Sequence, residues 1–524
     1  MIPSPWVPLT VILLMAAALI RQQLSKRQKI SPGRALNPDP DPNFDANQLG
    51  AHYIILTPPP HQVVIGEHAR FQHLEIIGST GTGKNYHGLL PMIYQDIKRR
   101  AGVVILDPKG SMRRQVAAYA RACGRTGHLH CLDLAAPDTS ASYSPFQDDD
   151  PALVAERVHV AFYSDDLTPT PFYREMAKSL FYNFFGLCHE LKVLPTLDQL
   201  RTVAMDQAAL TMLVAKAPRS REAAELRLQL LGLPAIEYAK IMQGLVNALT
   251  SVTSARYAPL LNTTAPNIDL RQIVTKGQIL YVGLAADQYP SSFKRVSTML
   301  LMDLQSSLTK RYSLDCAPLF LYLDEFADLI YPEVRALIAK AREARVGITL
   351  AHQSLGDLRQ HGDAIAAGIF ENTSNKIIFR VGSAETAEQL ARLAGTKTVS
   401  RDLINYSLQA DSVLSGGMTA KGLTTVTGEE FLFHPNDLKN LGVGEAFLIV
   451  QRKAGRELHR GQLLTAPPEI PALGQSQLQA PAPGAQQQPL DLGAVAPKTT
   501  PVLSRTSAAE AAMRLFDHNK NHDA

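Results

Sequence analysis

Only four cysteines occur in 524 residues, and Cys123, Cys131, Cys188 and Cys316 lack the spacing of a metal-binding set. That excludes a metal centre built from cysteine and a disulfide framework. The four read as reduced cytosolic thiols. Net charge is also scarce, at +4. A bulk basic field that would draw nucleic acid is therefore excluded, and any DNA contact must come from local placement, for example on loops facing a pore. Charged residues make up 19% of the chain and apolar residues 45%, which excludes a disordered polypeptide and suits a globular one long enough for more than one domain.

The most informative stretch that is present is Gly78-Ser79-Thr80-Gly81-Thr82-Gly83-Lys84-Asn85. It follows an apolar run (Leu74, Ile76, Ile77) and precedes a helical pattern (Leu89, Leu90, Ile93, Ile97). In that strand–loop–helix setting, glycines let backbone N–H groups approach phosphate oxygens, and the helix N-terminus favours negative charge. All eight residues are expected to bind nucleotide, with Lys84 reaching the β- and γ-phosphates of ATP. Ser or Thr usually follows the lysine and ligates Mg²⁺. Here Asn85 stands there, a poorer oxygen ligand, so the metal would lean on water and on a downstream aspartate.

Leu319-Phe320-Leu321-Tyr322-Leu323-Asp324-Glu325 supplies the acids. An unbroken apolar run suits a buried parallel strand. Asp324 is the expected Mg²⁺ contact and Glu325 the group that polarises the attacking water. A second buried strand, over 346–352, ends at Gln353, placed to sense the γ-phosphate or orient water. His352 reads as a hydrogen-bonded structural residue. Between these strands a basic helix over 334–345 carries Arg335, Lys340, Arg342 and Arg345. It is either a solvated face or the source of an arginine for a neighbouring subunit's ATP.

Asp107-Pro108-Lys109-Gly110, Tyr143-Ser144-Pro145-Phe146, Leu323-Asp324-Glu325-Phe326 and Arg342 with Ala351-His352-Gln353-Ser354 follow one another in this order. As a set they resemble the TraG/TraD-type coupling ATPases of conjugation and type IV secretion, within the RecA-like FtsK/HerA group. The resemblance covers about residues 50–455. It implies that Lys84, Asp324 and Glu325 take the Walker roles, that Gln353 is the third-motif glutamine, and that Arg342 acts in trans. It further implies a membrane-anchored hexamer that delivers single-stranded DNA with its relaxase, or effector proteins, to the components of a type IV secretion channel.

Residues 1–20 carry no charged side chain, and Arg21, Lys26, Arg27 and Lys29 follow. Twenty such residues just suffice to cross a bilayer. The basic cluster then puts the following domain in the cytoplasm, the chain being single-pass in the bacterial inner membrane. A cleaved signal peptide is the rival, with Ala16-Ala17-Ala18 resembling a cleavage site. It lacks a basic n-region, and an exported ATPase would lack ATP. Pro5 and Pro8 shorten the helix, and much of the family has two membrane helices.

The expected architecture is α/β: a RecA-like P-loop NTPase with a mostly parallel sheet, an inserted all-α domain and an N-terminal transmembrane helix. Residues 1–20 are the anchor and 21–60 a linker. Residues 61–147 and 268–463 are the two parts of the nucleotide-binding domain, and 148–267 the all-α insertion. Residues 464–524, rich in Pro, Gln and Ala, form a disordered tail. The expectations also include an excursion over 400–427, a last strand over 446–450, and Lys109, Arg113 and Arg114 as solvated or pore-loop cations. Arg380 is a weaker second candidate for a phosphate-sensing arginine. Two rival functions stay open. One is an FtsK/HerA-type DNA translocase, disfavoured because residues 468–524 hold no small DNA-reading domain. The other is a docking receptor that binds nucleotide with little hydrolysis.

Overall fold

The computed structural model describes residues 53–60, 62–163, 171–407 and 419–467. The anchor expected at 1–20, most of the linker and the tail from 468 lie outside them. No helix among the described residues is long and apolar enough to cross a membrane.

Two short strands, β1 (Tyr53–Ile55) and β2 (Val64–Gly66), form an antiparallel hairpin inside and just beyond the stretch expected to be linker. Three prolines at 58–60 mask the apolar β1 in sequence. The main sheet is then built from β3 (Leu74–Ile77), β4 (Gly102–Asp107), β5 (Leu129–Asp133), β6 (Ile279–Gly283), β7 (Leu319–Leu323), β8 (Val346–His352) and β9 (Asn375–Ile378). A separate long hairpin follows, β10 (Thr396–Ser407) with β11 (Thr419–Phe431). The last two strands are β12 (Glu445–Arg452) and β13 (Gly455–Gln462).

The main sheet runs in the order β13-β12-β9-β3-β8-β7-β4-β6-β5. From β9 to β5 every neighbouring pair is parallel, while β12 is antiparallel to β9 and to β13. The central strands β3, β4, β6, β7 and β8 are buried at every residue, as their apolar runs require when helices cover both faces. Alternate side chains serve the two faces. Val103 and Ile105 of β4 meet Leu89, Ile93 and Ile97 on one side. Val104 and Leu106 join a second core with Leu321, Leu323, Val158, Phe184 and Leu300.

That second core includes the helical segment. Between β5 and β6 the described residues form α-helices from Pro151–Tyr163 to Leu270–Thr275 with no intervening strand among them. Its aromatic residues Phe181, Phe184 and Phe185 are buried, as helical spacing favours. The helical pattern over 197–215 is broken into Leu197–Met205 and Gln207–Ala215. Asp206 is extended there and its side chain accepts from Ala208 N–H, so a cap replaces helix continuation. Residues 464–467, assigned to the tail by composition, instead join the fold. Ala466 is buried, and its N–H donates to Tyr86 O at 2.8 Å.

Candidate nucleotide site

The sheet order brings the sequence motifs to one edge. β3, β8 and β7 are consecutive neighbours and parallel, so their carboxyl ends place the loop after Ile77, Gln353 and the Asp324-Glu325 pair side by side. The backbone of the loop needs its glycines. Gly81 and Gly83 lie at φ 76° and 97°, the left-handed region. A Cβ on Gly78 would come within 2.6 Å of Phe379 Cβ, whereas one on Gly81 would meet nothing within 4 Å. The loop is therefore packed beneath and open above, where phosphate would sit.

Lys84 is buried and its Nζ donates to Gly78 O at 2.5 Å, with Ser79 O at 3.5 Å. Burial lowers its pKa, and the nearby Glu325 and Asp324 charges work against that shift. Asn85 Nδ2 donates to Asp324 Oδ2 at 2.8 Å, so its amide nitrogen, not its oxygen, faces the acid. Burial pushes the Asp324 carboxyl up to about 6, against the Asn85 hydrogen bond. Glu325 lies at φ 42°, a left-handed position that costs a non-glycine residue energy and is characteristic of functional turns.

Gln353 connects loop and acid. Thr80 Oγ1 donates to Gln353 Oε1 at 3.0 Å, and Gln353 Nε2 approaches Glu325 Oε2 at 3.3 Å. Glu325 Oε1 receives Lys109 Nζ at 2.6 Å. Burial alone would raise the Glu325 carboxyl, but the hydrogen bonds from Lys109 and Gln353 outweigh it and hold it below the usual range. Lys109, Glu325, Gln353, Asp328 and Asp357 line a cavity of about 370 Å³ beside the loop. Lys109 is thus ion-paired although 46% exposed. Arg113 also pairs, with Asp133 at 2.8 Å, while Arg114 stays exposed. The Lys109–Glu325 pair had no signal in the sequence beyond the Asp107-Pro108-Lys109-Gly110 motif.

Arg342 is the residue that the fold does not bring to this edge. It lies four residues before β8, whereas Gln353 follows β8 directly. Seven residues of strand, roughly 23 Å, separate the two ends. Arg342 is exposed and lines a groove of about 510 Å³ with Arg345, Glu67, His68 and Phe71. Arg380 is at the near edge, and its carbonyl accepts from Ser79 N–H at 2.9 Å. His352 has a structural place. It is fully buried, with Nε2 2.7 Å from Glu75 Oε1 and Nδ1 2.9 Å from Ser354 O.

Sheet and loop together define a RecA-like P-loop NTPase fold. Residues 318–442 match the family described as the TraM recognition site of TraD and TraG. Among solved structures, the plasmid coupling protein TrwB bound to a non-hydrolysable GTP analogue aligns with a TM-score of 0.57 at 16% identity, over 81% of this chain and 95% of that one. TrwB with ADP and Mg²⁺ aligns at 0.54 and 16%, over 77% and 89%. VirB4 of Thermoanaerobacter pseudethanolicus aligns at 0.50 and 12%, over 79% and 96%. At such identities the structural likeness is one of fold. The resemblance to TraG/TraD-type coupling ATPases read from the motifs rests on the family match and the fold together. No curated protein matches the chain.

Proposed function

We propose that the chain is an ATP-driven motor of type IV secretion: a coupling protein, anchored in the inner membrane as a hexamer, that passes single-stranded DNA with its relaxase, or effector proteins, to the secretion channel. The observation that carries the ATPase part is the meeting of the Lys84 loop with Asp324, Glu325 and Gln353 at one sheet edge: Asn85 donates to Asp324 at 2.8 Å, Thr80 to Gln353 at 3.0 Å and Gln353 to Glu325 at 3.3 Å, while Lys84 Nζ donates to the loop carbonyl Gly78 O. The coupling role is supported by the family match over 318–442 and by the TrwB fold. TrwB itself has been solved with ADP and Mg²⁺.

In this reading the 78–85 loop receives the phosphates and Lys84 exchanges its loop carbonyl for a phosphate oxygen. Asp324 suits Mg²⁺, a hard cation that takes oxygen ligands, and Asn85 would contribute its oxygen once the amide turns. Mg²⁺ supplies neutralisation of charge on the phosphates. Glu325 accepts the proton of the attacking water, and Gln353 orients that water against the terminal phosphate. Arg342, remote from its own site, serves the neighbouring protomer's nucleotide.

The test is phosphate release by the full chain, with and without single-stranded DNA. Turnover stimulated by DNA supports the motor, and nucleotide binding without turnover rejects it. The latter outcome is the docking receptor, favoured by one observation: Asn85 occupies the metal-ligating position and presents nitrogen to Asp324.

A further inference from the structure

Both oxygens of the Glu325 carboxylate are engaged, one by Lys109 and the other by Gln353. We propose that Lys109 is a phosphate-sensing positioning residue, which clamps Glu325 and transfers to the terminal phosphate when a triphosphate binds. The inference deepens the ATPase reading and rests on it.

The loop that carries Lys109 has a fixed base. Asp107 is fully buried, and its Oδ1 accepts from Lys109 N–H at 3.1 Å and Gly110 N–H at 2.9 Å. Its Oδ2 accepts from Met112 N–H at 2.7 Å and Tyr281 O–H at 2.9 Å. Gly110 completes the turn at φ 73°. Against this base the Lys109 side chain is free to swing. It is 46% exposed, and its four-carbon stem ends in a point charge that accepts carboxylate or phosphate alike.

A chain of contacts leads from Lys109 to the loop. Lys109 touches Glu325, Glu325 touches Gln353, and Gln353 touches Thr80 of the loop itself. At this edge Lys84 and Lys109 face Asp324 and Glu325, with Asp287, Asp328 and Asp357 lining the adjoining cavity. A triphosphate adds several negative charges on the same spot, and Lys109 is an exposed cation already beside it. Its departure frees Glu325 Oε1 for the water. ADP, lacking the terminal phosphate, leaves the clamp closed. The base is then released only when there is a phosphate to attack.

The experiment compares full-length wild type with Lys109→Met and Lys109→Arg, titrating fluorescent ADP and the non-hydrolysable ATP analogue ADPNP. Loss of a charge-assisted contact in Lys109→Met should weaken ADPNP about tenfold or more while ADP stays within about twofold. Lys109→Arg should recover part of the loss. Equal effects on the two nucleotides, or none, overturn the phosphate-sensing role while leaving the ATPase reading intact. Wild-type protein that binds neither nucleotide overturns both.

Discussion

Asn85 and Asp324, 239 residues apart in the chain, meet as an amide donating to a carboxylate at 2.8 Å. In the proposed nucleotide site Asn85 stands where a hydroxyl ligand is usual. The amide holds the buried acid in place and satisfies one of its oxygens. Asn85→Thr removes that tether and supplies a hydroxyl ligand, so Mg²⁺-dependent turnover should be kept or raised. Asn85→Ala supplies neither and should raise the Mg²⁺ concentration required. A Mg²⁺ titration of ATP turnover separates the two. Collapse of activity in Asn85→Thr would give the asparagine a role of its own.

Lys84 and Glu325 should fail in different ways. Lys84→Ala removes the cation proposed to meet the phosphates and should weaken ATP binding about tenfold or more. Glu325→Gln removes the proton acceptor and should lower turnover on the order of 10²–10⁴-fold. It also releases Lys109, so affinity for ATP should hold or rise. Binding and steady-state rates, measured side by side, check both. A Glu325→Gln protein with near-normal turnover would remove Glu325 from the chemistry.

Arg342 should matter only in an assembly. It stands at the opposite end of β8 from Gln353, so within one chain it cannot reach the nucleotide. Arg342→Ala should leave nucleotide binding unchanged and reduce turnover in the ring by about 10³-fold or more, the usual worth of an arginine supplied in trans. Mixing Arg342→Ala with Lys84→Ala subunits should restore some activity, because each lacks what the other retains. Full activity in Arg342→Ala rings alone would end the assignment.

The strands of the parallel sheet and the edge that carries the site were legible because both depend on local sequence. Apolar runs such as 319–323 must be buried on two faces, and a glycine-bordered loop after such a run has one common use. What was not legible depends on pairing. β13, with alternating polar and charged residues from Gly455 to Gln462, is an edge strand that only its antiparallel register with β12 reveals. The β10–β11 hairpin is rich in Thr, Ser and Gly, a texture that reads as loop until two long strands find each other. Lys109 looked like a surface cation, because nothing in one sequence places residue 109 against residue 325. The segment 408–418 between β10 and β11 lies outside the described residues.

A buried charge cluster behind the site gives a stability prediction. Glu75 of β3 is fully buried and accepts from Lys376 Nζ at 2.5 Å and Thr373 Oγ1 at 2.9 Å, with His352 Nε2 at 2.7 Å. Burial alone would raise the Glu75 carboxyl, but the Lys376 charge and the hydrogen bonds dominate and hold it down at about 2. Glu75→Gln leaves Lys376 buried without its anion and should destabilise the protein by about 3–5 kcal/mol. Glu75→Gln combined with Lys376→Met should recover much of the loss. Urea unfolding midpoints check this, and an undiminished midpoint in the single variant would show that the cluster holds nothing together.

His73 should make stability fall in mild acid. It is buried at the start of β3, its Nε2 lies 2.9 Å from Ile338 O, and its Nδ1 accepts from Ile348 N–H at 3.2 Å. One nitrogen must donate and the other accept, which fixes the neutral tautomer. Burial, with the Arg342 charge adding to it, lowers its pKa to about 4 despite the hydrogen bond to Ile338. The unfolded chain takes up this proton near pH 6.5, whereas the folded chain resists until about 4. The stabilisation is therefore complete above about pH 6.5 and is lost as pH falls toward 4, by up to about 3 kcal/mol. His73→Asn keeps an acceptor, tolerates the φ of 62° at this position and does not titrate. Its stability, measured by denaturant unfolding from pH 7 to pH 4.5, should run flatter than that of the wild type. Parallel curves for the two proteins would mean that His73 is protonated equally in both states.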